Sequence, residues 1–464
     1  MIKLKRLWML ATILYLCGIM GMQAQTEEQK PTGSYFPTSE LPNACVYLPA
    51  PIDVKEAAFT DDFNQFLWGK RMRNTERGKQ ASWESYYGTA RMATVFGEAM
   101  QMTISKKATP AIWHFIQRTG STGNNSTNKA KRKYMRIRPF VRMNEHVAGE
   151  FDDEEDLRHN GSYPSGHTGF GWSTALALAE MAPEWQDTIL RRGFEYGQSR
   201  VIVGAHWQSD VDAGYLTASA AIARMHTSPE YWEDLAEARA EYRSIKGIAE
   251  DQPVLVGYPK VEKVLDPPVD SMSHRFPGDV VRYWVATAER KTERGQQAVQ
   301  DTACSDSAFL RMFSSCVGMT LDAKTTPAIA KLVSMTFNEL CTVASESKSK
   351  GFRKRPFVQY AESTPIPKQE GSHIRSSSYP SSHALLGWGV ALALVEVMPN
   401  YQNALLLRGF EYGRSRIIVG FHYASDVQAG RLIAAGALAR LHNNAEFLNL
   451  MDEAKKEYEE VKKK

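Results

Sequence analysis

The stretch Gly161-Ser162-Tyr163-Pro164-Ser165-Gly166-His167-Thr168 carries a serine, a glycine and a histidine to what reads as the start of a helix. Free N–H groups at a helix start bind anions, and a histidine placed there can hand a proton to a bound anion or its leaving group. Upstream, Lys131 and Arg138 lie in a run of five cations within eight residues. A bare run of that kind is most often a solvated face. Downstream stand Ser199-Arg200 and His206-Trp207-Gln208-Ser209-Asp210. On a helix His206 and Asp210, four apart, share a face, so the carboxylate could fix one ring nitrogen and leave the other as a nucleophile. Together the parts suit one task. Lys131, Arg138 and Arg200 supply fixed cations, Ser165 and the Gly166 N–H add donors, and His167 and His206 flank the anion as acid and nucleophile. Such donors stabilise a phosphoryl group in transfer without a metal.

The elements that would position these groups occur twice. Thr75-Glu76-Arg77-Gly78 returns as Thr292-Glu293-Arg294-Gly295, and Arg138-Pro139-Phe140 as Arg355-Pro356-Phe357, both at an offset of 217. From Tyr163-Pro164-Ser165 and Tyr379-Pro380-Ser381 onward the offset is 216, so one residue is lost or gained between these motifs. The second copy holds Lys348, Arg355, Ser381, Ser382, His383, Arg416, His422 and Asp426, with Ser382 where the first has Gly166. Units of about 200 residues are domains rather than solenoid repeats. The expected organisation is domain 1 over 47–245, a linker over 246–263 rich in Gly and Pro, and domain 2 over 264–464. Residues 25–46 read as an N-terminal polar extension, poorly ordered over Gln25 to Pro42. Both copies are helical in pattern: Ala213 to Met225 is Ala-rich and buried in type, 233–242 and 450–463 read as charged amphipathic helices, and alternating strand patterns are scarce. Each site should lie between helices of a mainly α fold, and the two copies are candidates to pack as a pseudo-dimer.

Lys-x6-Arg-Pro, then Pro-Ser-Gly-His, then Ser-Arg-x5-His-x3-Asp resembles the signature of the type 2 phosphatidic acid phosphatase superfamily. The wider context, Arg73 to Gly78, Gly161 to Thr168 and Gly197 to Asp212, is most similar to the bacterial class A non-specific acid phosphatases. The resemblance covers nearly all of the first copy and, more loosely, the second. It implies an all-α fold of the acid phosphatase/vanadium haloperoxidase type and a metal-free reaction with no cofactor. It further implies that His206 attacks phosphorus and becomes a phosphohistidine oriented by Asp210, and that His167 protonates the leaving alcohol and then assists water. Lys131, Arg138, Ser165, Gly166 and Arg200 would hold the phosphoryl oxygens. His422, His383 and Asp426, with Lys348, Arg355, Ser381, Ser382 and Arg416, would repeat these roles. The haloperoxidases share the motifs because vanadate is a tetrahedral analogue of phosphate, so vanadate is an inhibitor on one reading and a cofactor on the other. A third reading keeps catalysis in the first copy and makes the second a phosphate-binding partner. The differences Ser382, Gly351 for Tyr134 and Tyr423 for Trp207 bear on substrate choice.

The N-terminus has Lys3, Lys5 and Arg6 before an uncharged run from Leu7 to Met22, with a small residue at Ala24. At 16 residues the run is short of the ~20 that span a bilayer, so 1–24 reads as a cleaved signal peptide of an exported, periplasmic or secreted protein. Removing it takes away three positive charges and leaves a net charge of +1 from +4. That balance gives no reason to expect a nucleic acid polymer or an anionic membrane as partner, and no later run looks membrane-spanning. The partner implied is a small phosphomonoester. Cys45, Cys304, Cys316 and Cys341 remain, as disulfides or as buried thiols, without metal-ligand spacing.

Overall fold

The computed structural model describes residues 33–249, 252 and 256–463. The expected signal peptide lies outside the described residues. Helices and a few 3-10 turns are the only regular structure among the described residues. The first copy contains α1 (Phe59–Met72), α2 (Glu76–Trp83), α3 (Thr89–Ala99), α4 (Pro110–Asn125), α5 (Asn128–Tyr134), α6 (Gly166–Met181), α7 (Gln186–Ile202), α8 (Gln208–Met225) and α9 (Pro229–Lys246). The second contains α10 (Phe276–Thr287), α11 (Glu293–Gln300), α12 (Asp306–Val317), α13 (Pro327–Lys348), α14 (Ser382–Val397), α15 (Gln402–Ile418), α16 (Ala424–Leu441) and α17 (Ala445–Val461). One helix, α13, stands where α4 and α5 stand in the first copy. No described helix is long and apolar enough to cross a membrane.

The repeated sequence motifs mark the ends of these helices. Thr75 and Thr292 cap α2 and α11 through Gly78 N and Gly295 N at 3.2 and 3.3 Å. Each loss of such a cap costs about 1 kcal/mol. Pro110 and Pro327 open α4 and α13, and the Glu241 and Glu457 carboxylates from α9 and α17 take the N–H groups of Ile112 and Ile329, both at 2.9 Å. Helices α6 and α14 are apolar on every side and therefore lie at the centre of their copies, with Trp172 and Trp388 fully buried. Their N-termini point the Ser165 and Ser381 motifs at the same place in each copy.

Residues Ser34–Lys464 form one compact unit, and buried side chains of both copies belong to one continuous apolar core. The extension is ordered from residue 34, contrary to the expectation of poor order for 25–42. Tyr35 donates to Asp234 at 2.8 Å and lies under Arg118, Phe36 lies under Arg224, and Leu41 is buried. Two aromatic anchors and one leucine outweigh the polar composition of the segment. The described part of the linker is also tied down: Gly257 O accepts from Gln186, Val256 O from Arg440, and Val261 is buried. The four described cysteines are thiols.

Where the copies meet, four equivalent residues form a buried chain. His226 faces Glu180 through Nε2 and Glu396 through Nδ1, each at 3.0 Å. His442 faces Glu396 through Nε2 at 3.0 Å and donates from Nδ1 to its own helix at Leu438 O. The two rings are 4.0 Å apart, and Tyr231 donates to Glu180. Glu180, His226 and His442 bring ligand-type atoms within 4.8 Å of one another, a grouping that no sequence spacing announces. Burial alone would push His226 down, but Glu180 and Glu396 outweigh it and raise its pKa to about 10. Burial would raise Glu396, but His442 and His226 hold it well below the carboxylate range.

The folded pKa of His226 thus lies above its unfolded value of ~6.5, so its contribution is complete below ~6.5 and lost as pH rises toward about 10. Glu396 acts in the opposite sense, and its contribution is lost only in strong acid. His226→Gln should therefore cost about 3–5 kcal/mol at pH 5 to 6, because it leaves buried carboxylates without their cation. The cost should shrink as pH approaches 10. Thermal unfolding of both proteins across this range checks it; a pH-independent difference would contradict the assignment.

Candidate active sites

In the first copy α5 ends at Met135, whose φ of +41° turns the chain sharply. Lys131 is left on the buried side of that turn and donates to Gly161 O at 2.7 Å. Arg138 follows, its Nε shared by Leu157 O and Asn160 O and its Nη1 given to Ala205 O at 3.0 Å. Lys131 and Arg138 are buried, whereas Arg132 and Lys133 of the same run form the solvated face usual for such a stretch. Arg200 lies on the last turn of α7, fully buried, with Nη2 on Asp152 Oδ1 at 2.6 Å. Behind it Arg77 of the repeated Thr-Glu-Arg-Gly motif donates to Ser199 Oγ at 2.9 Å, and Ser199 donates to Glu84.

His206 is not on a helix. Gly204 has φ +81°, and a Cβ there would meet Arg73 Nη2 at 2.5 Å, so only glycine suits the bend that ends α7. The bend sends His206 into the site ahead of α8. The shared helical face read from the spacing is replaced by a cap: Asp210 Oδ2 accepts from Trp207 N at 2.8 Å and Oδ1 from Arg136 at 2.5 Å. His206 Nδ1 stands 3.6 Å from Asp210 Oδ2, beyond hydrogen-bond length. Its Nε2 is 3.0 Å from Arg138 Nη1. A guanidinium only donates, so Nε2 carries the lone pair and the proton sits on Nδ1. Burial, then Arg138, Lys131 and Arg200, push His206 well below the ordinary histidine value, with the Ser162 backbone opposing them.

Ser165 caps α6, its Oγ accepting from Thr168 N at 3.3 Å, and Gly166 is the first helical residue. His167 follows, stacked 5.7 Å from Tyr196, with Nε2 3.1 Å from Ser85 O. Burial and then Arg200 push His167 well below its usual value as well. Lys131 is lowered by burial first and then Arg138, and Arg138 to about 10 by burial and Arg200. Three buried cations press against each other here, and an anion between them would relieve all three.

The second copy repeats the arrangement. Lys348 donates to Ser377 O and Pro380 O at 2.8 and 2.9 Å, and Arg355 Nη1 lies 3.1 Å from His422 Nε2. His422 Nδ1 is 3.7 Å from Asp426, which again accepts from the cap residue, Tyr423 N. Ser381 caps α14, and His383 stacks on Tyr412. Burial and then neighbouring cations take Lys348 to about 7, Arg355 to about 10 and both histidines well below the usual value, while burial alone takes Arg416 to about 10.

Sequence reasoning missed Arg136 and its counterpart Arg353. Each joins two carboxylates, Asp62 with Asp210 and Asp279 with Asp426, and so fixes the end of α8 or α16 under the site. The signal was present as Arg-x-Arg-Pro in both copies. Trp207 and Tyr423 are both buried, Trp207 bonding Ile137 O at 2.9 Å.

The PAP2 superfamily pattern matches residues 118–233 and 327–448, one span in each copy and half of the chain in all. The chain belongs to the PAP2 superfamily. It is 42% identical over 218 residues to a non-specific acid phosphatase of Providencia stuartii, covering 47% of this chain and 88% of that protein. It is 37% identical over 246 residues to a non-specific acid phosphatase of Salmonella typhimurium, covering 52% and 97%. An acid phosphatase of Zymomonas mobilis is 34% identical over 221 residues, covering 48% and 82%. Each of these relatives is about the length of one copy, so this PAP2 chain carries two such units in tandem.

Within the PAP2 motif, Gly166 is explained by its neighbour. Its φ is not positive; a Cβ there would meet Asn124 Oδ1 at 2.4 Å. At the equivalent positions the second copy has Cys341, which has no side-chain amide, for Asn124 and Ser382 for Gly166. Only a side-chain end must move, so Gly166→Ser should cost about 1 kcal/mol or less. Gly123→Ala meets Ser173 Oγ at 2.1 Å and the Gly169 carbonyl at 2.4 Å, and should cost about 1–3 kcal/mol. Thermal unfolding of the two variants checks the order.

Proposed function

We propose that the protein is an exported, metal-independent acid phosphatase that hydrolyses phosphate monoesters through a phosphohistidine, at two sites. The observation that carries this is a buried, neutral histidine whose lone-pair nitrogen faces an arginine, ringed by a lysine and a second arginine, in both copies. The names of the relatives, acid phosphatases at 34–42% identity, support the reaction class.

His206 Nε2 attacks phosphorus, the P–O bond to the alcohol breaks, and the departing oxygen takes a proton from His167. The charge that develops on the phosphoryl oxygens is met by Lys131, Arg138, Arg200, the Ser165 hydroxyl and the Gly166 N–H. Neutral His167 then takes a proton from water, the hydroxide attacks phosphorus, the P–N bond breaks, and phosphate leaves with His206 restored. Asp210 and Arg136 hold the end of α8 in place. His422, His383, Lys348, Arg355 and Arg416 do the same in the second copy, with Ser381 and Ser382 in place of Ser165 and Gly166. Positive charge from side chains does the work that a divalent ion does in other phosphatases.

His167 must be protonated to release the alcohol. Its pKa in the free protein is held below ~6.5, so kcat/KM should decline as pH rises, with the limb on the acid side of that value. A profile still rising above pH ~9 would contradict the role. Activity should survive excess EDTA; loss that a divalent ion restores would overturn the phosphohistidine reading.

His206→Ala should leave only the second site's activity, His422→Ala only the first site's, and the double variant almost none, a fall of several orders of magnitude. A panel of phosphomonoesters on the folded single variants, with phosphohistidine trapping, checks this. Complete loss in His206→Ala alone would make the second copy a non-catalytic partner.

A further inference from the structure

The two clusters differ at one charged group. Arg200 and Arg416 are equivalent and both fully buried. Arg200 Nη2 is bound to Asp152 Oδ1 at 2.6 Å, and only its Nε and Nη1 lack partners. All three guanidinium nitrogens of Arg416 lack hydrogen-bond partners among the described residues.

The difference traces to the one-residue change between the copies. Val147 N bonds Glu154 Oε1 in the first copy, and Thr364 N bonds Glu370 Oε1 in the second. The first pair is seven residues apart and the second six, so the change of offset falls in this segment. The first segment contains Glu150, Asp152 and Asp153; the second reads Pro365-Ile366-Pro367-Lys368-Gln369 and has no acid. In the first copy the segment is held in place, Glu150 N on Ser82 Oγ at 3.0 Å and Phe151 N on Ser85 Oγ at 2.9 Å. Ser85 is the residue whose carbonyl meets His167. The Asp152 side chain is 4% exposed, and its Oδ2 has no partner. A carboxylate so placed competes with a phosphoryl oxygen for Nη2 and repels the anion.

We propose that Asp152 is a specificity-determining residue that weakens the first site's hold on phosphate, and that the second site, lacking it, is the retentive one. This rests on reading both clusters as phosphoryl sites. The first site then releases product readily and works at high substrate levels. The second captures dilute phosphomonoesters and is held back by its own product.

Inorganic phosphate binding to the full-length protein, measured by titration calorimetry, should show two classes about tenfold or more apart. Arg416→Ala should remove the tighter class and Arg200→Ala the weaker. Asp152→Asn should tighten the weaker class about tenfold, and Asp152→Glu, which keeps the charge, should not. In the His422→Ala background, Asp152→Asn should lower the phosphate inhibition constant and KM together, whereas a merely structural role would lower kcat and the melting temperature instead. Equal affinities that Asp152→Asn leaves unchanged, or a loosening, would overturn the proposal while leaving the phosphoryl sites standing. An absence of any phosphate binding would overturn the phosphoryl-site reading itself and this proposal with it.

Discussion

Like charge crowded into a buried space is the constraint on which each site depends. Lys131, Arg138 and Arg200 are buried close together, and the half-buried Lys348 with Arg355 and Arg416 repeats them; burial and then the neighbouring arginines lower Lys131, Arg138, Lys348 and Arg355. Such groups stay charged only where the surrounding backbone holds them. Arg138 accordingly spends its donors on the carbonyls of Leu157, Asn160, Ala205 and Gly161, and Arg355 on those of His373, Ser376, Ser377 and Phe421. These carbonyls come from separate loops, so the arginine also ties the loops together. The same crowding keeps His206 and His422 neutral. The electrostatic condition for holding an anion and the condition for a nucleophilic imidazole are therefore one arrangement.

Much of this was legible in the sequence, because the groups that bind and react are set by short spacings. Lys131, Arg138, Ser165, His167, Arg200 and His206 converge as their motifs imply, and their counterparts do the same. The error at His206 and Asp210 came from extending a helix through Gly204, whose positive φ was signalled only by the residue type. In the basic run the spacing to Arg-Pro singled out Lys131 and Arg138, which are buried while Arg132 and Lys133 stay exposed. The N-terminal extension was judged on its polar average, whereas its placement depends on Tyr35, Phe36 and Leu41.

What could not be read lies in contacts between distant segments. Asp152 stands in an acidic stretch of ordinary solvated type, and nothing local says that it turns toward Arg200. Glu180 and His226 are 46 residues apart and meet their equivalents 216 residues away. Their pairing depends on how two whole copies pack, which is set by apolar area spread over many helices rather than by a motif. The paired changes of Asn124 to Cys341 and Gly166 to Ser382 are of the same kind: Gly166 looks arbitrary until Asn124 is known to be its neighbour.

The His226–His442 contact has a consequence for how such a molecule changes over generations. In an association of two identical chains every substitution appears on both sides of the symmetry axis, so a helpful change in one active site is imposed on the other. Here the halves are encoded separately but meet through a contact that both must supply. The contact region is bound to stay self-matching, since a misfit in either half leaves charge stranded in the middle. The loops over the two pockets carry no such obligation. A single chain of this design can therefore divide labour between its halves while its seam stays fixed, and it keeps both halves together at any dilution.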